Sequence, residues 1–258
     1  MKTIGVVAHS AEGAGLCFVS ACRYGAAALG DHMHPTIALS AIPMALSMPA
    51  WWSDKYEDIV PHLRQGVDMV ARSGADFFVC PDNTAHIVLE QVIAQLSLPG
   101  LHIAHVVAEE IRRKGWSRVG LLGTRWTMTG SVYRRALERH GVQMLVPSES
   151  EQEPLNAAIF EELCNSRFEP ATTDLFIKAI EGLKRSGAEC VILGCTEIPL
   201  IINDGNSPLP VLDSTRLLAA YAVEVALRDD PLPRVGWLSP SGDTEADRAS
   251  APSSLGSS

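Results

Sequence analysis

The sequence predicts an α/β protein of two similar parallel-sheet domains, related by a pseudo-twofold axis and facing each other across a cleft. Three observations carry this. Residues 73–82 read SGADFFVCPD and residues 186–195 read SGAECVILGC, a repeat spaced by 113 residues. The openings TIGVVAHS from Thr3 and RVGLLGTR from Arg118 repeat at a spacing of 115. Continuous apolar runs alternate with amphipathic stretches in both halves, the order that builds a parallel sheet with crossover helices.

Each element follows from its local pattern. TIGVVA is an apolar strand that ends on the polar pair His9-Ser10. Residues 58–74, DIVPHLRQGVDMVARSG, carry Val60, Leu63, Val67 and Val70 at helical spacing, with Gly74 as the stop. FFVC is a strand covered on both faces, and AHIVLEQVIAQL is the helix after it. The second half repeats the plan. RVGLLG is a strand, and a helix over 130–140 closes on Arg139-His140-Gly141, which joins favourable dipole charge to a glycine stop. Residues 174–187 place Leu175, Ala179, Ile180 and Leu183 on one helical face before Gly187, and CVIL is the partner strand of FFVC. The domains are therefore expected at 1–98 and 99–211, with 212–228 packing back on the first. Residues 229–258, rich in Pro, Ser, Asp and Ala, are expected to be a flexible tail without chemistry.

Composition narrows the partners. The 258 residues are 47% hydrophobic and 20% charged, which is globular, and the formal charge is -9. No basic stripe exists to neutralise a phosphate backbone, so nucleic acid is not an expected partner. No apolar run approaches the roughly 18 residues of a membrane span, so no membrane partner is expected. The start MKTIGVVAHS has no signal core, and the expected compartment is the cytoplasm. The six cysteines form no CxxC pair. Reduced thiols are expected, and no metal site is.

Ligands of parallel α/β sheets bind outside the carboxyl ends of the strands. Four such ends are polar: Ala8-His9-Ser10, Pro81-Asp82-Asn83-Thr84, Gly123-Thr124-Arg125 and Gly194-Cys195-Thr196-Glu197. The repeat makes Asp82 the counterpart of Cys195, so a pseudo-twofold axis would set them on opposite walls of one cleft. One acid/base group on each side of a carbon is what proton exchange with inversion requires. Each residue also has a plainer role. Asp82 or Asn83 suits the N-cap of the next helix, Ser10 and Thr196 suit local caps, His86 suits packing in a first turn, and Cys195 is small enough to be buried. Taken singly the plainer roles are favoured. Repeat-related placement shifts the balance for Asp82 and Cys195.

The motifs TIGVVAHS, SGADFFVCPDNTAH, LPGLHIA, RVGLLGTRWTM, IFEELC, GAECVILGCTEIPL and LDSTRLLA resemble those of the aspartate/glutamate racemase family. That family also includes hydantoin racemases, maleate isomerases and arylmalonate decarboxylases. The resemblance spans residues 1 to about 228. It implies two similar α/β domains with the active site between them, an isomerase that uses neither PLP nor metal, and a small amino acid or carboxylate substrate. Similar proteins are often homodimers, although no stripe in this chain marks an interface. Similar racemases carry one catalytic cysteine before Asn-Thr and a second before Thr-Glu. Cys195 matches the second, but the first position holds Asp82. Cys80, two residues back on the strand, is not expected to substitute for it. By the same resemblance Ser10, Asn83, Thr84, Thr124 and Thr196 surround the substrate carboxylate and the developing enolate, work that short hydroxyls and amides suit.

The substrate pattern departs as well. Similar racemases for acidic amino acids carry cations for the distal carboxylate. Here AIPMALSMPAWW has none, and CNSRFEPATT puts Glu169 where a lysine is expected, with Arg167 nearby. Met44, Met48, Trp51 and Trp52 suit a wall for a neutral or aromatic substituent and suit ordinary packing equally. The leading expectation is an amino acid racemase or epimerase. Cys195 would be a thiolate whose pKa is lowered at a helix N-terminus, and Asp82 a carboxylate whose pKa is raised by desolvation. The alternatives are a single-cysteine decarboxylase or cis–trans isomerase, and a non-catalytic protein that binds small carboxylates.

Overall fold

The computed structural model describes residues 1–229, 232 and 237–238. The first lobe runs β1 (Ile4–Ala8), α1 (Ala11–Leu29), β2 (Ile37–Ala41), α2 (Met48–Trp52), α3 (Val60–Arg72), β3 (Phe77–Val79), α4 (His86–Val92) and β4 (Gly100–Leu101). Helix α5 (Ile103–Lys114) leads into the second lobe: β5 (Arg118–Gly123), α6 (Arg125–Thr129), α7 (Ser131–Glu138), β6 (Gln143–Leu145), α8 (Glu149–Glu161), α9 (Pro170–Arg185), β7 (Cys190–Gly194) and β8 (Val211–Asp213). Then come α10 (Ser214–Leu227) and β9 (Trp237–Leu238).

The sequence repeat becomes a repeat of topology. Strand order is β2-β1-β3-β4 in one sheet and β6-β5-β7-β8 in the other, all parallel, with β9 added antiparallel on β4. Even the register is copied. Ile4 pairs with Phe77 in the first sheet, and Val119 pairs with Cys190 in the second. The Ser-Gly-Ala turn before β3 and β7 explains part of this. Gly74 and Gly187 both sit in the left-handed region, at φ 87° and 90°, where a side chain would be strained. The next acidic residue then ties the turn to the neighbouring strand. Asp76 accepts the Thr3 N–H at 2.6 Å, and Glu189 accepts those of Ser117 and Arg118 at 2.7 and 2.8 Å.

Helices cover both faces of each sheet, which is why β1, β3 and β7 are apolar without interruption and wholly buried. On the first sheet, α3 and α4 pack over one face, with Leu63, Val67 and Leu89 in the core. Helices α1, α5 and α10 cover the other through Cys17, Ile103 and Leu218. Helix α5 is buried on two sides, because Val107 and Ile111 belong to the core of the second lobe. Among the described residues no helix is long and apolar enough to cross a membrane.

Three boundaries differ from the sequence expectation. The first lobe does not stop at residue 98, since Gly100 and Leu101 pair with Phe78 and Val79. Residues 212–228 divide between the lobes. Strand β8 completes the second sheet on β7, and only α10 returns to the first lobe. Trp237 and Leu238, expected within a tail, form the edge strand against β4. The rest of that expected tail lies outside the described residues.

A buried polar chain joins the lobes. The Tyr133 hydroxyl donates to Asn83 Oδ1 at 2.6 Å, Asn83 Nδ2 donates to Ser214 Oγ at 3.1 Å, and Ser214 donates to the Leu193 carbonyl at 2.8 Å. Tyr133 and Ser214 are fully buried, so water cannot replace a lost partner. Tyr133→Phe leaves Asn83 Oδ1 without its donor, at a cost of about 1–3 kcal/mol. A fall in stability of that size in urea denaturation is the expected result. A midpoint equal to wild type would show that the bond does not hold the lobes.

Candidate active site

All seven residues singled out by sequence line one cleft between the lobes: Ser10, Asp82, Asn83, Thr84, Thr124, Cys195 and Thr196. The cleft, with a cavity volume of about 50 Å³, lies at the carboxyl ends of the central strands. His9, Glu197 and Cys164 also line it, as do Met44, Met48, Trp51, Trp126, Ile159 and Phe160.

Several plainer roles are real and coexist with the cleft. Ser10 is the N-cap of α1, taking the Gly13 N–H at 3.1 Å, and Thr124 is the N-cap of α6, taking the Thr127 N–H at 3.2 Å. His86 packs fully buried in the first turn of α4. Its tautomer follows from its partners. Nε2 accepts the Ile103 N–H at 3.3 Å, so Nδ1 carries the proton it donates to the Asp82 carbonyl at 3.0 Å. Asn83 has both ends of its amide engaged in the cross-lobe chain, so its side chain is structural as well as cleft-lining. The hydroxyls of Thr84, Thr124 and Thr127 close a triangle of 2.9, 3.2 and 3.1 Å across the lobe boundary. Gly13 permits a further close approach, because a Cβ there would meet Ser10 Oγ and the Thr196 side chain at 2.8 Å.

On the wall from the first lobe, Asp82 Oδ1 accepts the Ala85 N–H at 3.2 Å and Oδ2 lies 3.2 Å from His9 Nδ1. His9 Nε2 is buried without a partner among the described residues. Burial pushes the Asp82 carboxyl up, but the hydrogen bond and charge of His9 and the Ala85 N–H more than offset it. The carboxyl is held below its ordinary value. This corrects the expectation that desolvation would raise it.

On the wall from the second lobe, the Cys195 thiol donates to Glu197 Oε2 at 2.9 Å, and the Thr196 hydroxyl donates to the same oxygen at 2.8 Å. Glu197 is itself buried, and its Oε1 has no partner among the described residues. Burial and the Glu197 charge push the thiol well above its ordinary value, against the weaker pull of the Glu197 backbone N–H. This too reverses an expectation. No α-helix begins after Cys195, only a 3-10 turn over Ile198–Leu200, and the carboxylate two residues on dominates. The two walls therefore present an ionised carboxylate and a protonated thiol, a base and an acid.

Cys80 is buried behind the strand end, outside the lining. Trp52 stands beside the cleft rather than in it, 49% exposed, with its ring packed on Trp126 and Phe160. Arg167 bonds the Glu161 carbonyl and does not line the cleft. Sequence reasoning missed the pairing of His9 with Asp82 and of Glu197 with Cys195, although both partners stand at the polar strand ends. Phe160 and Cys164 lie in the IFEELC motif, but nothing local to it placed them at the cleft.

Two parallel α/β lobes that each bring a titratable side chain to a shared cleft match the fold of known racemases. The chain superposes on a candidate Asp/Glu racemase from Yersinia pestis with a TM-score of 0.78 and 30% identity, covering 88% of this chain and 100% of that one. An aspartate racemase homologue from Pyrococcus horikoshii OT3 gives a TM-score of 0.74 at 28% identity, with the same coverage of 88% and 100%. The broad specificity amino-acid racemase RacX of Bacillus subtilis is 26% identical over 204 residues, 79% of this chain and 86% of that protein. The family model for Asp/Glu/hydantoin racemases matches residues 5–222. The chain belongs to the Asp/Glu/hydantoin racemase family and is an isomerase.

The raised thiol has a direct consequence, since only the thiolate alkylates. Iodoacetamide should label the Cys195 peptide more slowly at pH 7 than it labels free cysteine. The rate should still rise about tenfold per pH unit as pH reaches the ordinary thiol value. Mass spectrometry of the peptide reads this directly. Labelling at pH 7 at the rate of an ordinary free thiol would contradict the Glu197 contact.

Proposed function

We propose that the protein racemises or epimerises an amino acid without PLP or metal, exchanging the α-proton through Asp82 and Cys195 on opposite faces of the substrate. The carrying observation is the placement of Asp82 and Cys195 at repeat-related strand ends of one cleft, with His9 3.2 Å from the carboxylate and Glu197 2.9 Å from the thiol. Among the described residues no lysine lines that cleft to form a Schiff base.

The step is a two-site proton exchange. The Asp82 carboxylate takes the α-proton, and the electron pair passes into the substrate carboxylate as an enolate. The Cys195 thiol then gives its proton to the opposite face of the α-carbon. Asp82 ends protonated and Cys195 ends as thiolate; the opposite enantiomer or solvent restores the starting state. A thiolate beside the Glu197 carboxylate is destabilised and therefore strongly basic, which suits removal of a weakly acidic α-proton in the reverse direction. The hydroxyls of Ser10, Thr84, Thr124 and Thr196 receive the substrate carboxylate and steady the enolate. His9 is a positioning residue, holding Asp82 Oδ2.

Deuterium exchange tests this. Single-enantiomer amino acids incubated in D2O should gain α-deuterium and lose optical purity. Cys195→Ser should lower racemisation by at least about 100-fold, the scale of one positioned acid/base group. Asp82→Asn keeps size and the Ala85 cap but takes no proton, so it should abolish racemisation while one enantiomer still exchanges with retained configuration. Unchanged racemisation by folded Asp82→Asn would refute the two-site mechanism.

The pH profile gives a separate check. In the direction that begins with Asp82 as base, activity needs Asp82 ionised, whose pKa lies below its ordinary 3.8, and Cys195 protonated, whose pKa lies above its ordinary 9.0. Protonating Asp82 removes activity at low pH, and ionising Cys195 removes it at high pH. kcat/KM should thus stay level from pH 5 to pH 9, with both limbs outside that window. An activity limb near pH 7 would contradict these assignments.

A further inference from the structure

We infer that the substrate of this site is an amino acid with an uncharged, apolar side chain, and that aspartate and glutamate are excluded. The inference rests on the racemase reading above and adds to it the part of the substrate that does not react.

The charge inventory of the cleft comes first. Its lining contains Asp82 and Glu197 but, among the described residues, neither lysine nor arginine. A substrate ammonium is well placed among these carboxylates, and its α-carboxylate meets the hydroxyls of Ser10, Thr84, Thr124 and Thr196. A second carboxylate on the side chain would find only His9 there, and that ring is already engaged by Asp82. It would enter a water-poor space beside two groups of its own sign, and an unpaired buried charge is strongly disfavoured.

The remaining wall is apolar and comes from both lobes. Met44, Met48 and Trp51 follow β2, while Trp126, Ile159 and Phe160 come from α6 and α8. The rings of Trp51 and Trp126 stand 5.7 Å apart, and Phe160 meets Trp126 nearly edge-on at 6.0 Å. The polar edge of Trp126 is engaged elsewhere, since its indole N–H donates to Asp54 Oδ1 at 3.2 Å. Its ring is thereby fixed as an apolar surface. Arg125, a cation beside this wall, has its guanidinium over the rings of Trp126 and Trp52, at 4.4 and 5.4 Å. Methionine side chains bend to fit partners of different shape, so Met44 and Met48 suit a range of apolar substituents rather than one.

The test is a panel of single-enantiomer amino acids assayed for α-deuteration and racemisation in D2O, with methionine, leucine, phenylalanine, aspartate, glutamate and lysine. Methionine, leucine and phenylalanine should exceed aspartate and glutamate in kcat/KM by at least about 100-fold, the scale of discrimination set by an unpaired buried polar group. Met48→Arg puts a cation on the wall and should shift that ratio at least about 10-fold toward the acidic amino acids, with Cys195 still required. Arg125→Ala separates the rival in which Arg125 swings inward to hold a distal carboxylate; it should leave the ratio unchanged. A preference for aspartate, glutamate or lysine that disappears in Cys195→Ser would overturn the specificity while leaving the racemase reading intact. Exchange with no member of the panel would overturn both.

Discussion

The side-chain amide of Asn83 links pieces of chain that are far apart in sequence: the loop after β3, helix α7 through Tyr133, and helix α10 through Ser214, which reaches the end of β7. Each member is buried, where water cannot replace a lost partner, so the lobes are held in one relative arrangement rather than merely in contact. The adjoining triangle of Thr84, Thr124 and Thr127 acts at the same boundary. The residues proposed to carry the chemistry lie close by in the chain. Asp82 precedes Asn83, and Ser214 is bonded to the strand whose end is followed by Cys195. The network therefore fixes the spacing of the two walls, and everything proposed for the cleft depends on that spacing.

Charge is then distributed unequally over a symmetric scaffold. The first lobe offers a carboxylate with a histidine and a backbone donor on it, which stabilise the anion. The second offers a thiol with a carboxylate on it, which opposes the anion. In a medium of reduced dielectric such local partners outweigh the generic effect of burial for Asp82 and reinforce it for Cys195. A duplicated fold thus delivers two groups of opposite protonation. A site with both jobs assigned needs no net gain or loss of protons to begin a turnover.

The apolar end of the cleft has a different origin. Its rings come from the loops and helices that diverge between the two halves, not from the repeated strands. Trp51 and Trp126 stand on different lobes, and Trp52 and Phe160 brace them from outside and from α8. In the proposed reaction the repeated part of the fold holds the reacting carbon, and the unrepeated part meets the substituent.

The sequence by itself determined the architecture. Two matched strand openings and two matched Ser-Gly-Ala turns identify the duplication, and continuous apolar runs identify strands covered on both faces. These are local signals, because strand burial and left-handed glycine turns are written in a few adjacent residues. The strand ends also located Asp82, Cys195 and the surrounding hydroxyls before any coordinates. The short pieces β4, β8 and β9 were not legible, since two or three residues carry no period and are fixed only by the strand they join. The protonation states were misread for the same kind of reason. A pKa depends on what lies within a few ångströms, and the His9 partner of Asp82 is 73 residues away in the chain. Glu197 was only two residues from Cys195, yet nothing in the sequence says that its carboxylate turns back to the thiol. Tertiary structure decided which groups are charged, which face the cleft, and that Phe160 and Trp126 complete its wall, because each of those facts is a distance between side chains and not a property of either one.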